Sequence, residues 1–173
     1  MKSIKTNLKA LETMLFIWAS FRDREKVSDI MFLELANSEE MLGAYDEEFS
    51  VDSVRKVLSA IGNRELLNSP SKKESRFWNY NMWMLEDESV TNMMLAPIKT
   101  LNLDDLKDEF SSINYDEVEV VFFPGHMDLY KIDKNKLYIN FFLLKADVYG
   151  DGSVTIEDKS IKEFIKEKLA EIK

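Results

Sequence analysis

The chain contains no cysteine and one histidine, His126, among its 173 residues. Without thiols there is no disulfide, zinc ribbon, iron–sulfur cluster, thiol redox centre or cysteine nucleophile. One imidazole excludes every metal site that needs two histidines within the chain, including the HExxH zincins and the two-histidine, one-carboxylate iron triad. Glycine and proline are scarce, at 5 and 3. No Gly-rich loop of the GxGxxG or GxxxxGK[ST] kind is present to cradle a phosphate, and no G-x-S-x-G elbow presents a serine nucleophile. The sequence has no low-complexity linker, no repeat and no apolar run near the ~20 residues of a membrane span.

What the chain does have is apolar mass. It is 45% hydrophobic and 12% aromatic, which supplies a core and argues against disorder. At this length a single domain over 1–173 is expected, burying roughly 70% of its unfolded surface. The net charge is −9, which repels phosphate backbones and argues against nucleic acid as a partner. Two groups of bases stand out, Arg22, Arg24 and Lys26, and Lys72, Lys73 and Arg76. Both have acids beside them and read as solvated helix surface. The absence of thiols fits a cytoplasmic protein. A basic start followed by Met14–Ala19 imitates a signal peptide. The spacing of Leu8, Leu11, Leu15 and Trp18 instead predicts an amphipathic helix over about 3–22.

The pattern stays helical to Tyr45, with a break near Asn37-Ser38. Ser50 reads as the N-cap of a helix carrying Val54, Val57, Leu58 and Ile61, with Gly62 as its stop. Ser71 and Glu74 fit a capping box. Beyond them Trp78, Tyr80, Met82 and Met84 alternate with Asn79 and Asn81, which predicts a strand, although the same letters fit a buried helix. Glu86–Ser89 reads as a turn and 90–101 as the partner strand, with Pro97 at an edge or bulge. Leu103, Leu106 and Phe110 mark a short helix. Strands are expected at 118–123, 129–132 and 137–144, the last two joined by a hairpin turn at 133–136. Ile161, Phe164, Ile165 and Leu169 make a closing helix. The reading is α+β. A helical part covers about 1–75; a largely antiparallel or mixed sheet with a C-terminal helix covers about 76–173.

Pro124 to Asp151 is the stretch where a site is expected. His126 lies in the turn Pro124-Gly125-His126-Met127-Asp128 between two expected strands. Asp128 stands where it can orient the ring, so His126 and Asp128 are the candidate catalytic residues, with Glu119 as a nearby carboxylate. Asp147 to Asp158 resembles a calcium loop in part. Asp147, Asp151, Gly152 and Asp158 fit the first, fifth, sixth and last positions, but Tyr149 puts a ring where the third needs an oxygen. Asp151-Gly152 between apolar runs is equally a turn signal. Glu117 and Glu119 share one face of a strand, the pattern of a wet sheet surface. Trp78, Tyr80 and Trp83 form the densest aromatic group and are the candidate surface for a ligand or partner, with core packing as the alternative. No cofactor is expected. The residues thus favour a protein-interaction or binding module over a small enzyme or small-molecule site at His126, with calcium binding at 147–158 as a minor alternative.

Overall fold

A computed structural model describes residues 1–173. The chain begins with strand β1 (Ser3–Asn7) and helix α1 (Lys9–Arg22), followed by α2 (Asp29–Ala36) and a 3-10 turn at Glu39–Ala44. Three longer helices follow, α3 (Val51–Asn63), α4 (Lys72–Glu86) and α5 (Glu88–Lys99), and a second 3-10 turn at Asp104–Leu106. The C-terminal half holds β2 (Glu117–Phe123), β3 (Tyr130–Asp133), β4 (Lys136–Asn140), a 3-10 turn at Phe141–Leu143, β5 (Lys145–Ala146), β6 (Val154–Ile156), β7 (Lys159–Ser160) and α6 (Ile161–Leu169). The fold is α+β.

The main sheet has the order β1-β2-β4-β3. It is mixed: β1 and β4 flank β2 in parallel, and only β3 runs antiparallel, against β4. A small antiparallel sheet, β5-β6-β7, lies beside it. The central position of β2 follows from its sequence. Val118, Val120, Val121, Phe122 and Phe123 are all buried, as expected of a strand covered on both faces. Glu117 and Glu119 face the wet side, where Lys5 pairs with Glu117 at 2.7 Å and Lys136 approaches Glu119 at 3.7 Å. One continuous core of 41 buried residues joins the helices to both sheets.

Several expectations are corrected. Residues 3–22 are not one helix, because Ser3–Asn7 pairs with β2 far along the chain. Asn7 then ends the strand by accepting the Lys9 N–H at 3.0 Å, and the apolar spacing read from Leu8 onward belongs to α1. Residues 76–84 are the middle of α4, not a strand. The capping box launches that helix: Ser71 Oγ accepts the Glu74 N–H at 3.1 Å and Glu74 accepts the Ser71 N–H at 2.9 Å. Phe77, Asn81 and Met84 then form its buried stripe. Packing along that stripe outweighs the poor helix propensity of Asn, Trp and Tyr. Residues 90–99 likewise belong to α5, whose N-cap is Asp87, so the supposed turn is a helix–helix junction. Pro97 is accommodated in the last turn, close to where the helix must end. Finally, α3 stops at Arg64, which takes the left-handed conformation with φ +56. Gly62 is inside the helix, where the Phe21 ring lies so close that a Cβ would meet it at 2.8 Å.

Glu74 ties α4 to α3 through Lys56 at 3.2 Å. Burial works against its ionisation, but the Ser71 N–H, Lys56 and Ser53 outweigh burial and hold its carboxyl below the ordinary value of 4.5. A carboxylate depressed in the folded state contributes stability above its unfolded pKa, and that contribution fades as pH falls through the folded pKa. The Glu74→Gln variant is therefore expected to be less stable at neutral pH and to lose less stability below pH 4.5. Urea unfolding of both proteins across the acid range checks this; parallel curves would refute it.

Candidate functional site

The turn from Pro124 to Asp128 is held by one side chain. Asn140, at the end of β4, is fully buried. Its Oδ1 accepts the N–H groups of Gly125 and Phe142, each at 3.1 Å, and its Nδ2 donates to the carbonyls of His126 at 3.0 Å and Asp128 at 3.1 Å. All four capacities of the amide are used. Gly125 is required by close approach, since a Cβ there would fall 2.6 Å from the Phe123 ring and 2.7 Å from the Asn140 amide carbon.

This arrangement drives His126 inward. The ring is 2% exposed and packs on Phe49 with centroids 4.7 Å apart. The Met127 N–H donates to Nδ1 at 2.7 Å, so Nε2 carries the proton and donates it to the Ala44 carbonyl at 2.7 Å. Both ring nitrogens are thus engaged. Asp128, expected to orient the ring, does not bond to it; Ala44 and Met127 do so instead. Glu119 pairs with Asn7 and Lys136 further back along β2.

Asp46, His126 and Asp128 nevertheless bring one ligand atom each to within 4.8 Å of one another, the geometry of a metal site. A cation already serves that cluster. The Lys73 ammonium lies 2.6 Å from Asp46 and 3.9 Å from both Glu48 and Asp128. The hydrogen bond with Asp46 and the surrounding acids raise the Lys73 pKa. At Asp46, burial is outweighed by Lys73 and the Glu48 N–H, which together hold its carboxyl below the ordinary value. The one lone pair of the imidazole faces the Met127 N–H. The set has the chemistry of an ion-pair lock between α4 and the His126 turn.

Asp147, Asp151 and Asp158 are not among the residues brought together as metal ligands. Asp151 accepts the Ser153 N–H at 2.9 Å within the turn joining β5 to β6. Asp158 sits in the next turn with φ +64. Tyr149 stands fully exposed at the tip.

The three candidate aromatics part company on α4. Helical geometry sets Tyr80 and Trp83 on one side and Trp78 on the other. Tyr80 stacks on Phe142 with centroids 5.3 Å apart. Trp83 is 42% exposed. Trp78 enters a cleft of about 510 Å³ between α1, α3 and α4. Its apolar wall is formed with Trp78 by Phe21, Ala60, Ile61, Leu66, Met82 and Leu85. Arg22, Arg24, Arg64, Glu65 and Glu86 complete the lining. Leu66, at the rim, is 96% exposed. Comparison with known protein families, with curated proteins and with solved structures matches this chain to none of them.

The cleft was only half legible in advance. Trp78 and the bases at Arg22 and Arg24 stand out in the sequence, but nothing local says that Leu66 and Arg64 come to face them. The one signal is Leu66 itself, an apolar residue just past the end of the α3 periodicity. No helix of the fold is long and apolar enough to cross a membrane.

Proposed function

We propose that this chain is a non-enzymatic binding module that holds a segment of a protein partner in the cleft between α1, α3 and α4. One observation carries the reading: this apolar-walled cleft of about 510 Å³ is open, and a leucine that contributes nothing to the core stands at its mouth. Small-molecule sites bury most of their ligand. A groove whose rim residue is 96% exposed instead suits side chains projecting from a larger body. The enzyme reading at His126 and Asp128 draws less support, because both ring nitrogens are hydrogen-bonded and the ring is buried among aromatics. Calcium binding at 147–158 draws less still, since its acids do not converge. A cytoplasmic location fits the thiol-free composition, and the acidic charge repels the phosphate backbone of a nucleic acid.

The test is paired affinity capture from a native lysate with the natural chain and Leu66→Asp. The substitution touches no core contact, so the circular dichroism spectrum and Tm are expected to hold. A near-stoichiometric partner recovered by the natural chain and lost by the variant is the expected result. Equal recovery by both, or a monomer that never retains a partner, would overturn the reading.

A further inference from the structure

We infer that the partner segment seated in this cleft is acidic: one or two bulky apolar side chains flanked by aspartate or glutamate. This rests on the cleft being the binding face. Acids outnumber bases in the chain by 32 to 23, so a local excess of bases runs against the charge of the whole. Arg24 and Arg64 line the cleft, yet neither makes an ion pair or a side-chain hydrogen bond. Arg22, in contrast, is spent internally, donating to the carbonyls of Met84 at 2.7 Å and Leu85 at 3.3 Å at the end of α4.

The two unpaired arginines share a backbone feature and are both exposed. Both occupy left-handed turns, Arg24 just past α1 with φ +59 and Arg64 at the end of α3 with φ +56. Both also line an adjoining depression of about 310 Å³, together with Phe21, Ile61, Lys26 and Glu25. At that end of the groove three bases face one acid. Glu65 and Glu86 line the main cleft but do not reach the depression. The groove is therefore polarised: apolar along Trp78 and Met82, cationic at the Arg24–Arg64 end. A guanidinium beside an apolar wall is a fork for a carboxylate, and a guest with an acid next to its apolar anchor satisfies both. A neutral apolar guest would leave the two charges unpaired at its edge.

The experiment pans a random-peptide phage library on the full chain, with selected peptides tested on Leu66→Asp and on Arg24→Gln/Arg64→Gln. The expected pool pairs Asp or Glu with aromatic or aliphatic residues. Its peptides are expected to bind about five- to tenfold more weakly to the double arginine variant, and to lose affinity as salt rises, a readout that needs no variant. Apolar, acid-poor peptides that Leu66→Asp abolishes and the arginine variant leaves alone would overturn the acidic assignment and spare the cleft. Selected peptides indifferent to Leu66→Asp would overturn both. Laurate saturating the cleft in competition with the peptides, or a concentration-dependent dimer that Leu66→Asp dissociates, would replace the peptide with a lipid or with a second copy and so overturn the inference.

Discussion

Replacing Asn140 with leucine is expected to be among the most damaging single changes available, although the residue touches no proposed ligand. The substitution keeps the branched shape but strands two N–H groups and two carbonyls that now share one amide. An unsatisfied buried backbone group costs ~1–3 kcal/mol. With part of that regained by water near Asp128, a loss of ~3–6 kcal/mol follows. Asn140→Asp separates the contributions. The carboxylate keeps the acceptor for Gly125 and Phe142 but turns a charge toward the carbonyls of His126 and Asp128. Its penalty is expected to shrink at acid pH, where the protonated group regains a donor. Urea midpoints for both variants, with unchanged slopes, are the measurement. A loss below ~1 kcal/mol for the leucine would mean the turn is held by something else.

The second large effect is expected at Trp18. The residue is fully buried on α1 and donates from Nε1 to the Asn81 Oδ1 at 2.9 Å, while the Asn81 amide donates back to the Phe77 carbonyl at 2.8 Å. Trp18→Ala removes a large core side chain and its hydrogen bond together, for ~3–5 kcal/mol. Trp18→Phe refills most of the space but leaves the Asn81 oxygen without its donor. It should therefore cost ~1–3 kcal/mol, more than volume alone predicts. The double variant Trp18→Phe/Asn81→Leu tests the coupling. If it is no more stable than Trp18→Phe, the indole–amide bond is not what fixes α1 against α4.

Asn81 also explains where sequence reading succeeded and where it failed. Capping residues are local, so Ser50 and Ser71 marked real helix starts, and the turn at Lys134-Asn135 joined two real strands. The closing helix and β2 were legible because their apolar patterns are strong and repeat on one period. The stretch 76–84 was misread because a buried asparagine looks like a solvent-facing one. Counting Asn79 and Asn81 as polar makes the pattern alternate. Recognising Asn81 as the partner of a tryptophan on another helix restores the helical period, and that partner is 63 residues away. β1 failed for the same reason, since five residues of mixed character become a strand only beside β2. At the candidate site, His126 and Asp128 were visible as letters. The Lys73, Asp46 and Ala44 groups that determine the chemistry around them come from the loop and helix packed above. The cleft is a still more distant product, assembled from three helices whose sequences carry no shared mark.

The parallel pairing of β1 with β2 has a consequence for how the protein comes off the ribosome. Ser3 meets Glu117 across 114 positions of chain. Strand β1 therefore waits through the synthesis of five helices before its neighbour exists. Until then Ile4 has no sheet to enter, and the nascent helices must collect around an unfinished floor. Such long-range closure is slow and leaves apolar surface open to wrong partners. The main sheet can thus close only after β2 has appeared.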